Sequence, residues 1–322
     1  MSGVFAGVDL GGTTISAALA DAHGEILREA QIATESQHGP DGVIERIASL
    51  LKELTAAEAQ PLQAVGVGAP GLVDTSRGVT RFLPNLPTNW RDVPMGASLR
   101  ERLGVPVYLL NDVRAATLGE LTFGHGMNVG TMAFFSVGTG VGGGVVVDGR
   151  LRLGPLGAAG ELGHQTILPD GPTCGCGNRG CLEVLASGPA IVGEGVWLLR
   201  AGRAPILHEL VEGDVGRVTP KEMAAAAEAG DAAVREVIVR AAGYLGIGVA
   251  NVVTVLHPEL VVIGGGVAEM GSLLLDVVRD TLHARVGMFP TDDVRVERSK
   301  LGAKAGVLGA IALASRGGVT PL

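Results

Sequence analysis

The sequence predicts an α/β protein built twice from one plan. Two stretches, GVDLGGTTISAALADAHGEI (residues 7–26) and FSVGTGVGGGVVVDGRLRLG (residues 135–154), each read as strand, Gly/Thr loop, strand, tight turn, strand. Apolar residues at helical spacing and further short apolar strands surround both copies. At about 100–200 residues per domain, a chain of 322 residues is too long for one ordinary core, so the two copies are expected to head two domains.

In chain order, Val4–Leu10 is the first strand, Gly11-Gly12-Thr13-Thr14 its loop, Ile15–Ala20 the second strand, and Glu25–Thr34 the third after a turn at Asp21–Gly24. A helix is expected over Gly42–Glu58, because Val43, Ile44, Ile47, Leu50, Leu51 and Leu54 recur on one face. Ala64–Gly68 and Pro106–Leu110 read as short buried strands, the latter running into Asn111-Asp112 and a helical Val113–Leu121. The second copy supplies strands Met132–Val137, Val141–Val147 and Arg150–Leu153, with Asp148-Gly149 as a hairpin turn. Thr219-Pro-Lys-Glu222 carries the N-cap, N1 proline and N3 glutamate of a helix start. An apolar helix ending near Leu256 leads to a strand, Leu260–Ile263, and the loop Gly264-Gly265-Gly266, and a last helix covers roughly residues 303–314.

Composition excludes several classes. Hydrophobic residues at 47% against 18% charged rule out global disorder. Glycine, 51 residues without a collagen period, is about twice its usual share and is expected to shape loops. Only 2 Trp, 2 Tyr and 6 Phe are present, too few for the base-stacking platforms of a single-strand binder. A net charge of −8 also argues against nucleic acid, and any bound phosphate should need a metal ion beside it. Mean hydropathy is +0.37, yet the uncharged helical candidate for a span, Ala241–Leu256, holds 16 residues including three glycines and Asn251. That falls short of the roughly 20 needed to span a bilayer. The first residues lack a basic n-region and reach Asp9 early, so no signal peptide and a cytoplasmic location are expected.

Two segments, Gly66–Gly71 and Gly138–Gly143, fit G-x-G-x-x-G, but neither opens a helix as dinucleotide binding requires. No Walker A lysine exists, since none of the four lysines (52, 221, 300, 304) follows the required glycine. The duplicated Gly/Thr loops instead suit phosphate, with backbone N–H groups and threonine hydroxyls able to approach an anion; plain tight turns are the alternative. Asp9, just before the first loop, could hold Mg²⁺ through waters or simply cap a turn. Asn111-Asp112, beyond a strand end, could supply a general base, a helix N-cap, or both.

The strongest local signal is His164 followed by Cys174, Cys176 and Cys181, the chain's three cysteines. One imidazole and three thiolates make the tetrahedral N/S set of zinc, and four protein ligands leave no open position, so the ion would be structural.

With Asp9-Leu-Gly-Gly-Thr13, Gly138-Thr-Gly140 and the His164…Cys174-x-Cys176-Gly-x-x-Gly-Cys181-x-Glu183 run quoted, the chain resembles the ROK family over nearly its whole length. That family groups bacterial sugar kinases with sugar-responsive repressors, and the resemblance is greatest to its glucokinases. It implies the actin/hexokinase/Hsp70-like duplicated fold: two α/β domains with mixed sheets flanking a cleft, the smaller from 1–112 plus about 303–322, the larger from 113–302 with the zinc loop. It implies ATP-dependent phosphorylation of glucose at the 6-hydroxyl with Asp112 as general base. Sugar contacts are then expected from Gly68, Asn85, Asn111, Asp112, Glu161, His164 and Glu183. Nucleotide contacts are expected from Asp9, Gly11, Gly12, Thr13 and Thr14, from Gly138, Thr139 and Gly140, and from Gly264, Gly265 and Gly266.

ATP, Mg²⁺ and a structural Zn²⁺ are the implied cofactors, and a homodimer or homotetramer the implied assembly. The repressors carry a helix-turn-helix domain ahead of the D-L-G-G-T segment, which here starts at residue 9, so repressor activity is not expected. The alternatives are a kinase for another hexose or an N-acetylhexosamine, a non-catalytic sugar-binding regulator, and polyphosphate as donor.

Overall fold

The computed structural model describes residues 3–83, 86 and 90–319. The first copy folds as three strands, β1 (Val4–Leu10), β2 (Thr14–Ala20) and β3 (Ile26–Ala33), followed by helix α1 (Gly39–Ala56). Helix α1 starts with Pro40 in its first turn and buries Val43, Ile44, Ile47, Leu50 and Leu51, the face expected from their spacing. Strand β4 (Leu62–Ala69) comes next, then three short strands, β5 (Leu72–Asp74), β6 (Val79–Phe82) and β7 (Arg91–Val93). Helix α2 (Met95–Leu103), strand β8 (Val107–Asn111) and helix α3 (Asp112–Phe123) complete this half.

The second copy begins with β9 (Met132–Val137), β10 (Val141–Val147) and β11 (Arg150–Arg152). A largely irregular stretch then leads to α4 (Glu183–Ala186), α5 (Gly188–Arg200), α6 (Pro205–Leu210), α7 (Pro220–Glu228) and α8 (Ala232–Leu256). Thr219 caps α7, accepting from Lys221 N and donating to Glu222. Strand β12 (Leu260–Gly264), helix α9 (Ser272–Arg285), strand β13 (Arg295–Arg298) and helix α10 (Ala305–Ser315) close the chain.

The duplication extends to strand order. One five-stranded sheet runs β3-β2-β1-β4-β8 and the other β11-β10-β9-β12-β13. In the first, β1 pairs antiparallel with β2 and parallel with β4, which is parallel to β8. In the second, β12 lies parallel between β9 and β13. Both are mixed sheets with three strands of a meander followed by two parallel strands. The small sheet β5-β6-β7 was not anticipated, because its strands are three or four residues long and carry no periodic signal. Helices α2, α4–α6 and α9 and strand β13 were likewise not expected from the sequence.

Contacts divide the chain into two units: Met1–Asn128 with Gly144–Gly160 and Lys300–Leu322, and Val129–Gly143 with Glu161–Ser299. Helix α3, drawn from sequence as the start of the larger domain, groups with the first unit, where it packs against α10. On one side of the first sheet Val8, Ile15, Val67 and Leu109 join Ile47 and Leu51 of α1 and Leu99 of α2 in one core. On the other, Ala18 and Ala20 meet Val307, Leu308 and Ile311 of α10. In the second unit α8 begins nine residues before the uncharged stretch, behind an Asp231 cap that accepts from Val234 N. Helix α8 is the one described helix long and apolar enough to cross a bilayer, and most of its apolar window is buried.

Candidate active site

In the first unit the parallel strands bring the expected residues to one sheet end. Asp9 on β1 sits in register with Gly68 on β4, and Gly68 with Leu110 on β8. The next two residues are Asn111, which ends β8, and Asp112, which starts α3. A Cβ on Gly68 would stand 3.4 Å from the Asp112 Cα, so the glycine lets helix and strand meet closely. This is the carboxyl end of the parallel strands, where open α/β sheets bind ligands.

The Asp9 carboxylate lies against Gly306 in the first turn of α10. Among the described residues no donor is paired with it. Burial pushes its pKa up to about 6, and the nearby Asp112 charge adds to the rise. A carboxylate held away from water beside a second acid calls for a cation, and that donor set fits Mg²⁺. The first loop is tied down by Gly11 N donating to Thr14 O at 2.9 Å and by Thr34, whose Oγ1 donates to Gly11 O at 2.8 Å and whose N–H donates to Thr13 O at 2.9 Å. Gly12 and Thr13 remain exposed at the tip, open to an anion.

Asn111 serves the N-cap role. Its Oδ1 accepts from Val113 N at 3.1 Å and Arg114 N at 3.2 Å, and its Nδ2 donates to Gly71 O at 3.0 Å. Asp112 occupies the first helical position, where its Oδ1 accepts from Val113 N at 2.8 Å and its charge favours the helix N-terminus.

In the second unit the two remaining glycine loops are neighbours. Gly264, at the end of β12, pairs in register with Ser136 on β9, and Gly265 adopts a left-handed φ of 84° with its Cα close to Val137 O. The loop Gly138–Gly140 closes through Gly138 N donating to Gly140 O at 2.9 Å, and it exposes Thr139. Glu183 braces it: its Oε2 accepts from Val141 N at 3.1 Å and stands 2.4 Å from where a Gly140 Cβ would be. Any other residue at 140 would displace that carboxylate.

Glu183 Oε1 also accepts from the Cys174 thiol at 3.6 Å, which links the loop to the cysteine cluster. There the ligand atoms of His164, Cys174, Cys176 and Cys181 all lie within 4.8 Å of one another. His164 Nδ1 is 3.7 Å from Cys174 Sγ, and Cys176 Sγ is 3.7 Å from Cys181 Sγ. A tetrahedral zinc with bonds of about 2.3 Å to sulfur has edges of about 3.8 Å, so the cluster fits the ion. Tight turns assemble it: Cys174 N donates to Asn178 O at 2.7 Å, and Gly177 N donates to Cys174 O at 2.9 Å. Burial pushes the Cys181 thiol up to about 12 and raises Cys174, whereas the Asn178 backbone N–H holds Cys176 down. Buried thiolates need a cation, and a bound metal supplies it. Glu161 leads the short turn Leu162–His164, and His164 N donates to its carbonyl at 3.1 Å.

The first unit therefore gathers Asp9, Gly11–Thr14, Gly68, Asn111 and Asp112, and the second gathers Gly138–Gly140, Glu161, His164, the three cysteines, Glu183 and Gly264–Gly266. Asn85 lies outside the described residues. Two charged residues of α3 outside the expected set are buried, Arg114 at 2% exposure and Glu120 at 0%. Glu120 accepts from Leu301 N at 3.0 Å and His125 N at 3.2 Å, tying α3 to the approach to α10. Their only sequence signal was charge set among alanines and leucines in a helix otherwise apolar on that side.

A model of the ROK family matches residues 5–317. A glucokinase of Thermotoga maritima is 37% identical over 310 residues, 95% of this chain and 96% of that protein. A xylose repressor of Caldicellulosiruptor bescii is 32% identical over 314 residues, 97% of this chain and 78% of the repressor. Among solved structures, a ROK family glucokinase from Streptomyces griseus in complex with glucose and AMPPNP superposes with a TM-score of 0.85 at 35% identity, covering 98% of this chain and 100% of that one.

Proposed function

Because this chain belongs to the ROK family, we propose that it catalyses ATP-dependent phosphorylation of glucose at the 6-hydroxyl. The observation that carries the reading is Asp112, an acid set at the N-terminus of α3, just past the carboxyl ends of the parallel strands that hold Asp9 and Gly68. Full-length similarity to glucokinases, one of them solved with glucose and an ATP analogue, supports both substrate and donor.

In this reading Asp112 accepts the proton of the 6-hydroxyl as the oxygen attacks phosphorus, which is general-base assistance to an in-line transfer. Its hydrogen bond from Val113 N orients the carboxylate at the start of α3. Asn111, with Oδ1 committed to the helix cap, contributes one remaining amide N–H to the sugar. Gly68 contributes backbone beside them. In the second unit Glu161, His164 and Glu183 are the sugar contacts. With Nδ1 turned toward the thiols, His164 keeps Nε2 for a hydroxyl. Nucleotide contacts come from Asp9 and Gly11–Thr14, from Gly138–Gly140 and from Gly264–Gly266, whose amides and hydroxyls offset phosphate charge. Asp9 would hold Mg²⁺, which supplies neutralisation of the phosphoryl oxygens when bound. His164, Cys174, Cys176 and Cys181 would hold a structural Zn²⁺. A homodimer or homotetramer in the cytoplasm completes the reading.

The test is ADP release from Mg²⁺-ATP with glucose, mannose, fructose, N-acetylglucosamine and N-acetylmannosamine, repeated with polyphosphate as donor. Turnover is expected to be highest with glucose and ATP. The similarity to a xylose repressor keeps a second reading, a sugar-binding regulator. Sugar binding with no turnover on any sugar or donor would favour it.

A further inference from the structure

Arg114 is the largest fully buried side chain among the described residues, at 2% exposure, and it sits two positions after Asp112. Its guanidinium is spread over two segments. Nη1 donates to Asn111 Oδ1 at 3.0 Å. Nε donates to Ala159 O at 3.2 Å, and Nη2 donates to Ala158 O at 3.1 Å and to Ala159 O at 3.0 Å. These bonds hold the guanidinium on one side-chain amide and two main-chain carbonyls of its own unit.

Each contact has a consequence for the site. Asn111 Oδ1 already accepts two backbone N–H groups, so a third, charged donor fixes which end of the amide faces the helix. That in turn directs Nδ2 to Gly71 O and holds the strand-to-helix step that carries Asp112. The carbonyls belong to Gly154–Gly160, a stretch without helix or strand in which Gly154, Gly157 and Gly160 all take left-handed φ values. Such a segment loses much conformational entropy when ordered. A planar fork with fixed donor directions suits this task in a way that a lysine ammonium does not.

We propose that Arg114 is a positioning residue: it clamps the turn bearing Asp112 to the Gly154–Gly160 loop of the same unit, and so sets the base for sugar. The inference rests on the kinase reading for its catalytic consequence, while the clamp itself can be measured without turnover.

The experiment compares wild type with Arg114→Met, which keeps length and bulk, and Arg114→Lys, which keeps charge. In Arg114→Met, kcat is expected to fall about 10–100-fold, as for a small misplacement of reacting groups. Sugar KM should rise while KM for Mg²⁺-ATP stays within twofold, and amide hydrogen exchange should quicken at 154–160. Arg114→Lys should recover part of kcat, and added guanidinium ion should recover part of it in Arg114→Ala. Wild-type kcat and sugar KM in Arg114→Met, or equal rises in both KM values with unchanged exchange at 154–160, would overturn the inference. Where Arg114→Met does not fold, Arg114→Lys and Arg114→Gln are read by the same criteria. A wild-type protein without turnover would instead overturn the kinase reading, and the exchange measurement alone would then decide the clamp.

Discussion

Asp9 and Asp112 come from different strand ends of the first sheet, yet the charge on Asp112 helps to raise the pKa of Asp9 to about 6. Two acids brought together by parallel strands give a site poised for a cation, and the same arrangement costs stability while the cation is absent.

That cost is measurable. A carboxyl whose folded pKa is raised favours the folded state fully below its unfolded pKa near 3.8, and the benefit is lost as pH rises through about 6. At pH 7–8 the charged Asp9 therefore opposes folding by about 3 kcal/mol at most, and less where water reaches it. Asp9→Asn should stabilise nucleotide-free protein at pH 8, leave it nearly unchanged at pH 4, and reduce turnover severely. Urea denaturation at the two pH values checks this, and an Asp9→Asn protein less stable than wild type at pH 8 would contradict it.

Asp112→Asn should keep the fold, because an amide oxygen can still accept from Val113 N. Removal of the base should lower kcat by about 10²–10⁴ while glucose still binds. Calorimetry beside steady-state kinetics separates the two, and near wild-type kcat would remove Asp112 from its role.

Cys176→Ser should reduce bound zinc from about one per chain to a small fraction and weaken glucose binding, since His164 shares the cluster. Metal analysis and calorimetry on the same preparation test the link. Full metal content with unaltered glucose affinity would show that the cluster does not orient the sugar site.

Glu183 joins the Gly138–Gly140 loop to Cys174. Glu183→Gln should therefore raise KM for both ATP and glucose, by about tenfold each if one charge-assisted hydrogen bond is lost. A rise confined to glucose would assign Glu183 to the sugar alone.

Much of this is legible in the sequence. The paired strand–loop–strand units became two sheets of equivalent strand order, because period-two apolar alternation and turn residues act over a few neighbours. The His164 and cysteine spacing led to a cluster of the expected donors, since its ligands lie within eighteen residues and glycine turns can close around them. Helix α1 followed its apolar stripe. By contrast, the β5-β6-β7 sheet gains its pairing only from strands that are themselves too short to announce it.

By itself, then, the sequence determined the duplicated α/β plan, the glycine loops and the metal-ligand set, all of them properties of local spacing. Tertiary structure decided the rest: that Asp9 feels Asp112, that Glu183 braces a loop by accepting from Val141 N, 42 residues earlier, and that Arg114 is buried on the carbonyls of Ala158 and Ala159. Those relations depend on which distant segments share a sheet end or a buried wall. Burial and charge proximity are products of packing, and no pattern along the chain encodes them before the packing exists.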